Sequence, residues 1–382
     1  MTTAHAVIGA GYGDEGKGRT VDMLARRPGP RPIVVRSNGG AQAGHTVVAG
    51  DRRHVFHHLG SGALAGASTH LSRFMVSNPL MLANELAAVR ALGGETAVTA
   101  DGRGFVTTPW DMMVNQALEA ARGDGRHGSC GLGVGETVGR CGDTAYSLTV
   151  ADLRRPDLRD RVAAIRDEWL PARLAAQGVT ASPFLAQADA VLDRFLADCV
   201  TFTGLTQARD DETLGEDAIV FEAAQGLMLD QRHRDFPFVT RSNTGIANIA
   251  AIAREAGIAH IDAHYVTRCY LTRHGRGPMT DERDISAWFT VDDPTNRPNL
   301  WQETLRFGLL DLDVLAATVA DDRADGIEVI RHAVVTCLDQ SCGGAIPYVE
   351  NGARQRPLRA TTFASHVRQR LGAETLIEGW AP

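Results

Sequence analysis

The sequence predicts an α/β fold: a mostly parallel central sheet with helices on both faces, and a P-loop-like glycine loop after the first strand. Two observations support it. Short apolar segments alternate with helical ones, and a glycine-rich run directly follows the first apolar segment. Because no repeat, low-complexity tract or clear linker divides the chain, we expect residues 1–382 to form one large domain with inserted loops and a helical excursion at about 150–200.

The individual elements follow from apolar periodicity and from the turn residues that bound each segment. The expected strands cover 6–9, 32–36, 74–76, 219–221, 264–267 and 333–336. The first expected helix starts within 20–25, and the other expected helices cover 78–92, 110–122, 150–177 and 182–198. The glycine-rich stretch 122–142 is expected to be a loop.

Charge and composition exclude several classes of partner. Lys and Arg number 39 against 46 Asp and Glu, which gives a net charge of −7. Non-specific binding to nucleic acid or to an anionic membrane needs a basic surface, so we expect neither partner. No apolar run reaches the ~18 residues of a membrane span, and no signal peptide is recognised, so we expect a cytoplasmic protein. The six cysteines lack metal-ligand spacing and are expected to be free thiols.

Lys17 is the only lysine in the chain, and the other 38 basic residues are arginines. A general bias towards arginine explains most of this imbalance. A lysine that persists against such a bias indicates a position where a compact ammonium is required and a planar guanidinium does not fit. We therefore expect Lys17 to be functional.

Residues 11–18 fit the pattern G-x-x-x-x-G-K, with Gly18 where a Ser or Thr completes the usual phosphate-binding loop. Such a loop directs backbone amides at phosphate oxygens, and the helix after it adds its positive end. Asp14 and Glu15 lie inside the run, and an unpaired carboxylate would repel phosphate. Asp14 therefore predicts metal ligation or general-base chemistry beside the terminal phosphate. The alternative is an ordinary glycine turn after a strand.

Several segments resemble motifs of the adenylosuccinate synthetase family. Residues 13–18 are similar to its GDEGKG loop, 39–46 to GGHNAGHT, 221–226 to FEGAQG and 237–244 to PYVTSSNT. Weaker similarities link 273–282 to TRVGAGPFPTE, 308–311 to GWLD and 336–339 to TKLD. The resemblance runs from about residue 7 to residue 339.

The resemblance implies a Mg²⁺-dependent ligase with GTP or ATP as co-substrate. In that family GTP phosphorylates the 6-oxo group of IMP, and the amine of L-aspartate then displaces phosphate. Asp14 would be the base and a Mg²⁺ ligand, and the backbone of Gly44 would complete the metal site. His45 would hydrogen-bond the oxygen that receives the phosphoryl group, and Lys17 would contact the phosphates.

The same resemblance implies further binding residues and a homodimer. Gln225 would contact the acceptor ring, Thr240 its 5′-phosphate, and Asp339 the guanine base of GTP. The other nucleotide-binding positions would be Gly13, Glu15, Gly16, Gly18, Arg19, Thr46 and Arg306. The other acceptor-binding positions would be Gln42, Ala43, Ser129, Cys130 and Arg140.

The sequence departs from the family on the substrate side. The family binds the 5′-phosphate through a Thr that is Cys130 here and an Arg that falls at Thr144, so Arg140 can serve only if the loop is shorter. Of the arginines that grip aspartate only Arg306 remains, and Glu303 adds repulsion; Arg297, Arg273 or Arg276 could compensate. The Lys of TKLD is Cys337, and the family's carboxyl-terminal guanine loop has no clear match in 376–380.

Three alternatives remain open. A diverged ligase would act on another oxopurine, such as GMP or dGMP, on a nucleoside-like intermediate of specialised metabolism, or with another amine. Phage enzymes that act on dGMP resemble this family but tend to carry Ser at the base position, where this chain has Asp14. A non-catalytic nucleotide-binding paralogue would not need Asp14 and His45 beside a terminal phosphate. A P-loop kinase or GTPase would normally have Ser or Thr at position 18.

Overall fold

A computed structural model describes residues 4–142, 145–180, 187–215, 217–291, 293 and 304–380. The strands are β1 Ala4–Gly9, β2 Ile33–Arg36, β3 His45–Ala49, β4 Arg52–Phe56, β5 Ser68–Leu71, β6 Val98–Ala100, β7 Gln207–Ala208, β8 Ile219–Glu222, β9 His260–Arg268, β10 Tyr270–Arg273, β11 Arg306–Leu309, β12 Glu328–Thr336, β13 Ala345–Ile346, β14 Val349–Glu350, β15 Ala353–Arg354, β16 Leu358–Arg359 and β17 Thr375–Glu378. The helices are α1 Lys17–Ala25, α2 Pro79–Ala91, α3 Pro109–Arg122, α4 Val134–Cys141, α5 Leu158–Ala164, α6 Leu170–Ala175, α7 Ala188–Leu205, α8 Ile246–Glu255, α9 Leu312–Asp321 and α10 Ala360–Arg370.

Nine strands form one sheet in the order β17-β12-β9-β1-β8-β2-β5-β6-β7, and every described pair in it is parallel. The central strands are almost entirely buried, as expected for a parallel sheet covered on both faces. Since β8 and β9 flank β1, and β2 lies beyond β8, the loops that follow these strands meet at one edge of the sheet.

Helices cover both faces of this sheet, as the sequence predicts. Val7, Val34 and Val220 point to one face, where they pack with Val21 and Leu24 of α1. On the other face the sheet packs against α8, α9 and α10 in the largest apolar cluster of the described chain. A second cluster gathers residues of α2, α3, α5, α6 and α7. The expected single-domain organisation stays a prediction.

Most predicted elements are confirmed, two are wrong, and the single helix expected at 150–177 is interrupted before α5 begins at Leu158. The first residues of the helix expected at 182–198 lie outside the described residues, and the rest belongs to α7. The strand expected at 74–76 does not form, because the sheet strand is β5, which ends at Leu71. A turn at residues 73 and 74 follows it, and Val76 makes only an isolated bridge to Gly40. The stretch expected to be a loop at 122–142 contains α4, which buries Val134, Thr137 and Cys141 along one side despite its glycines.

A hairpin of β3 and β4 stands outside the nine-strand sheet and pairs only with itself among the described strands. It begins at His45 and turns at Gly50 and Asp51. The first turn of α1 lies against its start: a Cβ atom added to Gly18 would come within 3.0 Å of the Thr46 carbonyl oxygen and 3.1 Å of His45. Glycine at position 18 thus lets the hairpin approach the glycine loop.

All six cysteines are free thiols, as expected. Among the described residues, no helix combines the length and the apolarity needed to cross a membrane.

Candidate active site

A cavity of about 630 Å³ opens beyond the carboxyl ends of β1, β2 and β8. Ligand sites of parallel sheets are typically found at this edge, and the volume lies in the range of small-molecule sites. The predicted residues that line it together are Gly13, Asp14, Gln42, Ala43, Gly44, His45, Ser129, Cys130, Gln225 and Thr240. The structure therefore brings together the proposed reacting centre and much of the proposed acceptor site.

Asp14 projects from the glycine loop into this cavity, where Oδ2 lies 3.2 Å from Nε2 of His274. Burial raises the pKa of Asp14, but His274, Arg268 and Lys17 outweigh it and lower the pKa to about 2. Asp14 is therefore a carboxylate at neutral pH, as a base or a metal ligand must be.

Other groups of the glycine loop, residues 11–18, form hydrogen bonds with one another. Glu15 Oε1 accepts hydrogen bonds from the backbone amides of Gly11 (3.1 Å) and Gly13 (2.7 Å). Lys17 donates from Nζ to Glu15 Oε2 (2.9 Å) and to the Gly13 carbonyl (2.6 Å), and it is only 2% exposed. Gly16, with a left-handed φ of 95°, precedes α1. The loop donors thus face an internal carboxylate, which a phosphate would have to displace.

His45 enters the cavity from the start of β3, and a buried carboxylate holds it in place. Its Nδ1 lies 2.6 Å from Oε1 of Glu222, the last residue of β8. Glu222 also accepts hydrogen bonds from the amide (3.0 Å) and hydroxyl of Ser61. Burial raises the pKa of Glu222, but His45, Arg36 and Ser61 lower it to about 2, so Nδ1 of His45 carries the proton and Nε2 is left for a ligand.

The net effect on His45 is a lowered pKa, because burial outweighs the Glu222 charge, which raises it. Glu222 therefore acts against the loss of the imidazolium form and fixes the ring orientation.

Two glutamines line the cavity with unsatisfied amide groups. Gln42 has neither Oε1 nor Nε2 in a hydrogen bond, and Gln225 has no partner for Oε1, although these atoms are buried. Buried polar atoms without partners are rare in folded proteins. A ligand with ring donors and acceptors would satisfy them, so this part of the wall fits a purine.

A second glycine-rich segment, residues 128–133, forms another part of the wall, but most of its polar groups already make hydrogen bonds within the protein. The Ser129 hydroxyl is hydrogen-bonded to Asn115 (2.8 Å to Nδ2). The amides of Gly128 and Ser129 donate to the Glu119 carboxylate (2.9 and 3.3 Å). Burial raises the pKa of the Cys130 thiol, which stays protonated at neutral pH.

Arg140, predicted to bind the acceptor, does not reach the cavity. It is fully buried and pairs with Asp111, with Nε 2.8 Å from Oδ1 and Nη2 2.9 Å from Oδ2. Its guanidinium also donates to the carbonyls of Val106 and Tyr146. Arg140 therefore joins α4 to α3 in the core. Thr144, the aligned alternative, lies outside the described residues.

Arg306, predicted to bind nucleotide, is also absent from the cavity wall. It forms a bidentate pair with Glu282 and donates to the carbonyls of Gly275 (3.0 Å) and Gly277 (2.9 Å). Arg297 and Glu303 lie outside the described residues. Arg273 and Arg276 both line the cavity. The guanidinium of Arg273 donates hydrogen bonds to the carbonyls of Pro278 and Phe238.

The remaining predicted nucleotide-binding residues also lie off the wall. Asp339 is in the turn after β12, and the others are at or near the start of α1: Glu15, Gly16, Lys17, Gly18, Arg19 and Thr46. Asp339 is exposed in the turn Leu338–Gln340. Thr336 precedes this turn and donates to the Glu15 carbonyl (2.7 Å), so the turn is tied to the glycine loop. Arg19 donates to the carbonyl of Trp380 in the carboxyl-terminal segment.

A magnesium site fits the donors on the wall. Within the described ranges no three His, Cys, Asp or Glu side chains are grouped to hold a metal. Mg²⁺ does not need such a group, since it is usually held by one or two carboxylates, substrate phosphates and water. The ionised Asp14 and the backbone of Gly44 line the same cavity and suit this chemistry.

Sequence reasoning missed two residues at the reacting centre. Glu222 lies inside a recognised motif, and its signal was a carboxylate at the end of an apolar strand, which must have a buried partner. His274 stands where the family motif has Val, and this exchange for a titratable residue was its signal.

Comparison with known proteins agrees with the motifs. The sequence profile described as adenylosuccinate synthetase matches residues 6–369. The adenylosuccinate synthetase of Anaeromyxobacter dehalogenans strain 2CP-1 is 33% identical over 351 residues, which cover 87% of this chain and 78% of the relative. That of Halobacterium salinarum strain R1 is 31% identical over 379 residues, with 94% and 83% covered.

Two solved structures share the fold. The fully ligated adenylosuccinate synthetase of Plasmodium falciparum superposes with a TM-score of 0.73 at 19% identity, covering 100% of this chain and 97% of that one. The cyanophage S-2L succinoaminodeoxyadenylate synthetase (PurZ), bound to dGMP and dATP as energy donor, gives 0.61 at 15% identity, covering 100% and 93%. The fold, the site and these matches together define a C–N bond-forming ligase of purine biosynthesis. The chain belongs to the adenylosuccinate synthetase family.

Proposed function

We propose that this ligase uses GTP, or ATP as the alternative donor, to replace the 6-oxo group of IMP by the amine of L-aspartate. The observation that carries the proposal is the presence of Asp14 and His45 on the wall of one cavity. A carboxylate and an imidazole at one reacting centre provide a base for the acceptor and a hydrogen bond for the oxygen that receives the phosphoryl group.

The first step activates a poor leaving group. Asp14 accepts the proton from N1 of the purine, and O6 attacks the γ-phosphorus. The bond between the γ-phosphorus and the β–γ bridging oxygen breaks at the same time. The products are the 6-phosphoryl purine and the nucleoside diphosphate. In the second step the aspartate amine attacks C6, the C6–O bond breaks, inorganic phosphate leaves and the nitrogen loses a proton.

The residues around this centre have complementary roles. In its imidazolium form, which the Glu222 carboxylate favours through Nδ1, His45 donates a hydrogen bond from Nε2 to the phosphoryl group in transfer. Lys17 leaves Glu15 when phosphates enter the glycine loop and contacts their oxygens. The unsatisfied amides of Gln42 and Gln225 bind the purine edge.

Asp14 and the Gly44 backbone would hold Mg²⁺ together with the phosphates. When bound, the ion neutralises charge on the transferred group. For the amine substrate, Arg276 on the wall is the candidate partner of a dicarboxylate, and Asp339 is the candidate partner of the guanine of GTP.

The test is a direct assay of the full chain with Mg²⁺, GTP or ATP, L-aspartate and a panel of 6-oxopurine nucleotides and nucleosides. We expect the release of inorganic phosphate together with a product whose mass exceeds that of the acceptor because the aspartyl group has been added. Asp14→Asn, which keeps the side-chain shape, should abolish both. Nucleotide binding without turnover on any acceptor would support the non-catalytic alternative and refute this proposal.

A second candidate acceptor is a 2-amino-6-oxopurine nucleotide such as GMP or dGMP. The buried Oε1 of Gln42 has no hydrogen-bond donor, and a 2-amino group would supply one. The PurZ structure was solved with dGMP. Higher kcat/KM for dGMP or GMP than for IMP in the same panel would favour this candidate.

A homodimer in the cytoplasm remains part of the proposal. Light scattering of the purified chain at assay concentration tests the oligomeric state, and a monomeric mass under turnover conditions would contradict it.

A further inference from the structure

The cavity wall carries five arginines, and four of them lie within 4 Å of a carboxylate. Arg122 pairs with Glu119, and Arg173 with Glu136 at 2.8 Å. Arg273 lies 3.6 Å from Asp235, and Arg276 lies 3.9 Å from Asp124. The fifth is Arg241, which is exposed and has no carboxylate within this distance in the described parts of the chain.

The backbone on both sides of Arg241 is held firmly. The Thr240 amide donates to the Leu229 carbonyl (2.9 Å), and the Gln231 amide donates to the Ser242 carbonyl (3.0 Å). The Ser242 hydroxyl accepts hydrogen bonds from Asn38 (3.3 Å) and from the Gly39 amide (3.2 Å). The position of Arg241 beside the cavity is therefore fixed by its neighbours.

The side chain of Arg241 lies along α4. A Cβ atom added to Gly135 would lie 3.9 Å from its Cδ, and one added to Gly139 would lie 3.4 Å from its Nη1. Because glycines occupy these two positions, one helical turn apart, no side chain projects from α4 where Arg241 crosses it. The guanidinium thus remains beside the wall formed by Gly133, Val134 and Gly135.

Other groups that could bind an anion at this end of the cavity are already engaged. The amides of Gly128 and Ser129 donate to Glu119, the Ser129 hydroxyl bonds to Asn115, and Arg140 is in the core. Thr240 lines the wall next to Arg241. At position 241 the family motif has Ser, so the cation is a feature of this chain.

We propose that Arg241 is a specificity-determining residue that binds the phosphate monoester of the acceptor nucleotide. The inference rests on the proposed function and identifies the acceptor as a nucleotide and not a nucleoside. The planar guanidinium can donate two parallel hydrogen bonds to phosphate oxygens, and the Thr240 hydroxyl adds a third. A cation at the far end of the acceptor contributes binding energy without contact with the reacting atoms.

The test compares wild type, Arg241→Ser and Arg241→Lys with a nucleoside monophosphate and the matching nucleoside as acceptors. Arg241→Ser should raise KM for the nucleotide about 10- to 100-fold, with kcat changed by less than about threefold and no change for the nucleoside. Arg241→Lys should fall between, because it keeps the charge and loses the fork. Arg194→Ser on α7, which lies off the cavity wall, is the matched control.

Calorimetric binding of the nucleoside monophosphate to each variant gives a readout that does not need turnover. If no acceptor of the panel supports turnover, the proposed function fails, whereas weaker nucleotide binding by Arg241→Ser would still support the role of Arg241. Equal binding by wild type and Arg241→Ser, or equal losses for nucleotide and nucleoside, would overturn it.

Discussion

Glu222 Oε1 lies 2.6 Å from His45 Nδ1, and this contact joins the last residue of a central sheet strand to the first residue of a separate hairpin. The pair is fully enclosed, with both side chains almost inaccessible to solvent. The orientation of the imidazole in the cavity therefore depends on a residue that contacts no substrate.

Glu222→Gln should lower kcat about 10- to 100-fold, because a small misplacement of a reacting group has costs of this size. Glu222 Oε1 accepts from His45 and from the Ser61 hydroxyl, and Oε2 accepts from the Ser61 amide, so the single acceptor oxygen of an amide cannot serve all three donors. The variant also removes the negative charge that raises the pKa of His45. Steady-state kinetics with a parallel thermal melt measure the effect. Ser61→Ala is the control that keeps the carboxylate, and wild-type kcat in Glu222→Gln would contradict the role.

Lys17→Arg should reduce kcat/KM at least about 100-fold although the charge is conserved. Nζ of Lys17 is buried between Glu15 and the Gly13 carbonyl, and a guanidinium is too large and too planar for that position. Initial rates at varied GTP concentration give the measurement. Unchanged kinetics in a folded variant would show that the only lysine reflects composition and not chemistry.

Arg140→Met should reduce the free energy of unfolding by about 3–5 kcal/mol, because Asp111 would remain as a buried charge without its partner. Urea titration at neutral pH measures this loss. KM for the acceptor should stay within about twofold in the folded fraction, because Arg140 lies off the cavity wall. A large rise in KM without destabilisation would restore the sequence-based expectation.

His264 predicts a pH-dependent loss of stability. Burial, with His5, His332 and Arg27 nearby, lowers its pKa from 6.5 to about 3 despite the opposing charge of Asp262. Below pH 6.5 His264 therefore binds a proton in the unfolded chain but stays neutral in the folded chain. Its contribution to the free energy of unfolding is complete above pH 6.5 and is lost as the pH falls towards 3.

Between pH 7.5 and 5.0 this site should cost wild type about 2 kcal/mol of unfolding free energy. His264→Leu should lose correspondingly less over the same interval. Urea unfolding curves at both pH values provide the comparison, and an identical pH dependence in the two proteins would argue against a neutral buried imidazole.

The reacting centre could be predicted from sequence because it depends on local order along the chain. Asp14 lies in the loop after β1, His45 comes after β2, and Gln225 comes after β8, so a parallel sheet brings them to one edge. The two arginines could not be placed in this way. Arg140 and Arg306 are held by Asp111 and Glu282, which are distant in sequence, and no periodicity encodes such pairs.

The errors in secondary structure have local causes. Three consecutive apolar residues at 74–76 fit a strand as well as a buried turn, and only the pairing of β5 with β2 decides between them. Two glycines within α4 and one at each of its caps hid a helix whose stability comes from its buried side and from the Arg140–Asp111 pair.

The hairpin that carries His45 also offers an attachment point for a reporter group. Asp51 at its tip is exposed and lies roughly 15–20 Å along the strand from His45. After Cys342, the exposed native thiol, is replaced by Ser, a fluorophore on Asp51→Cys could be installed selectively. In stopped flow its emission would report whether the hairpin moves when nucleotide binds, without a label inside the cavity.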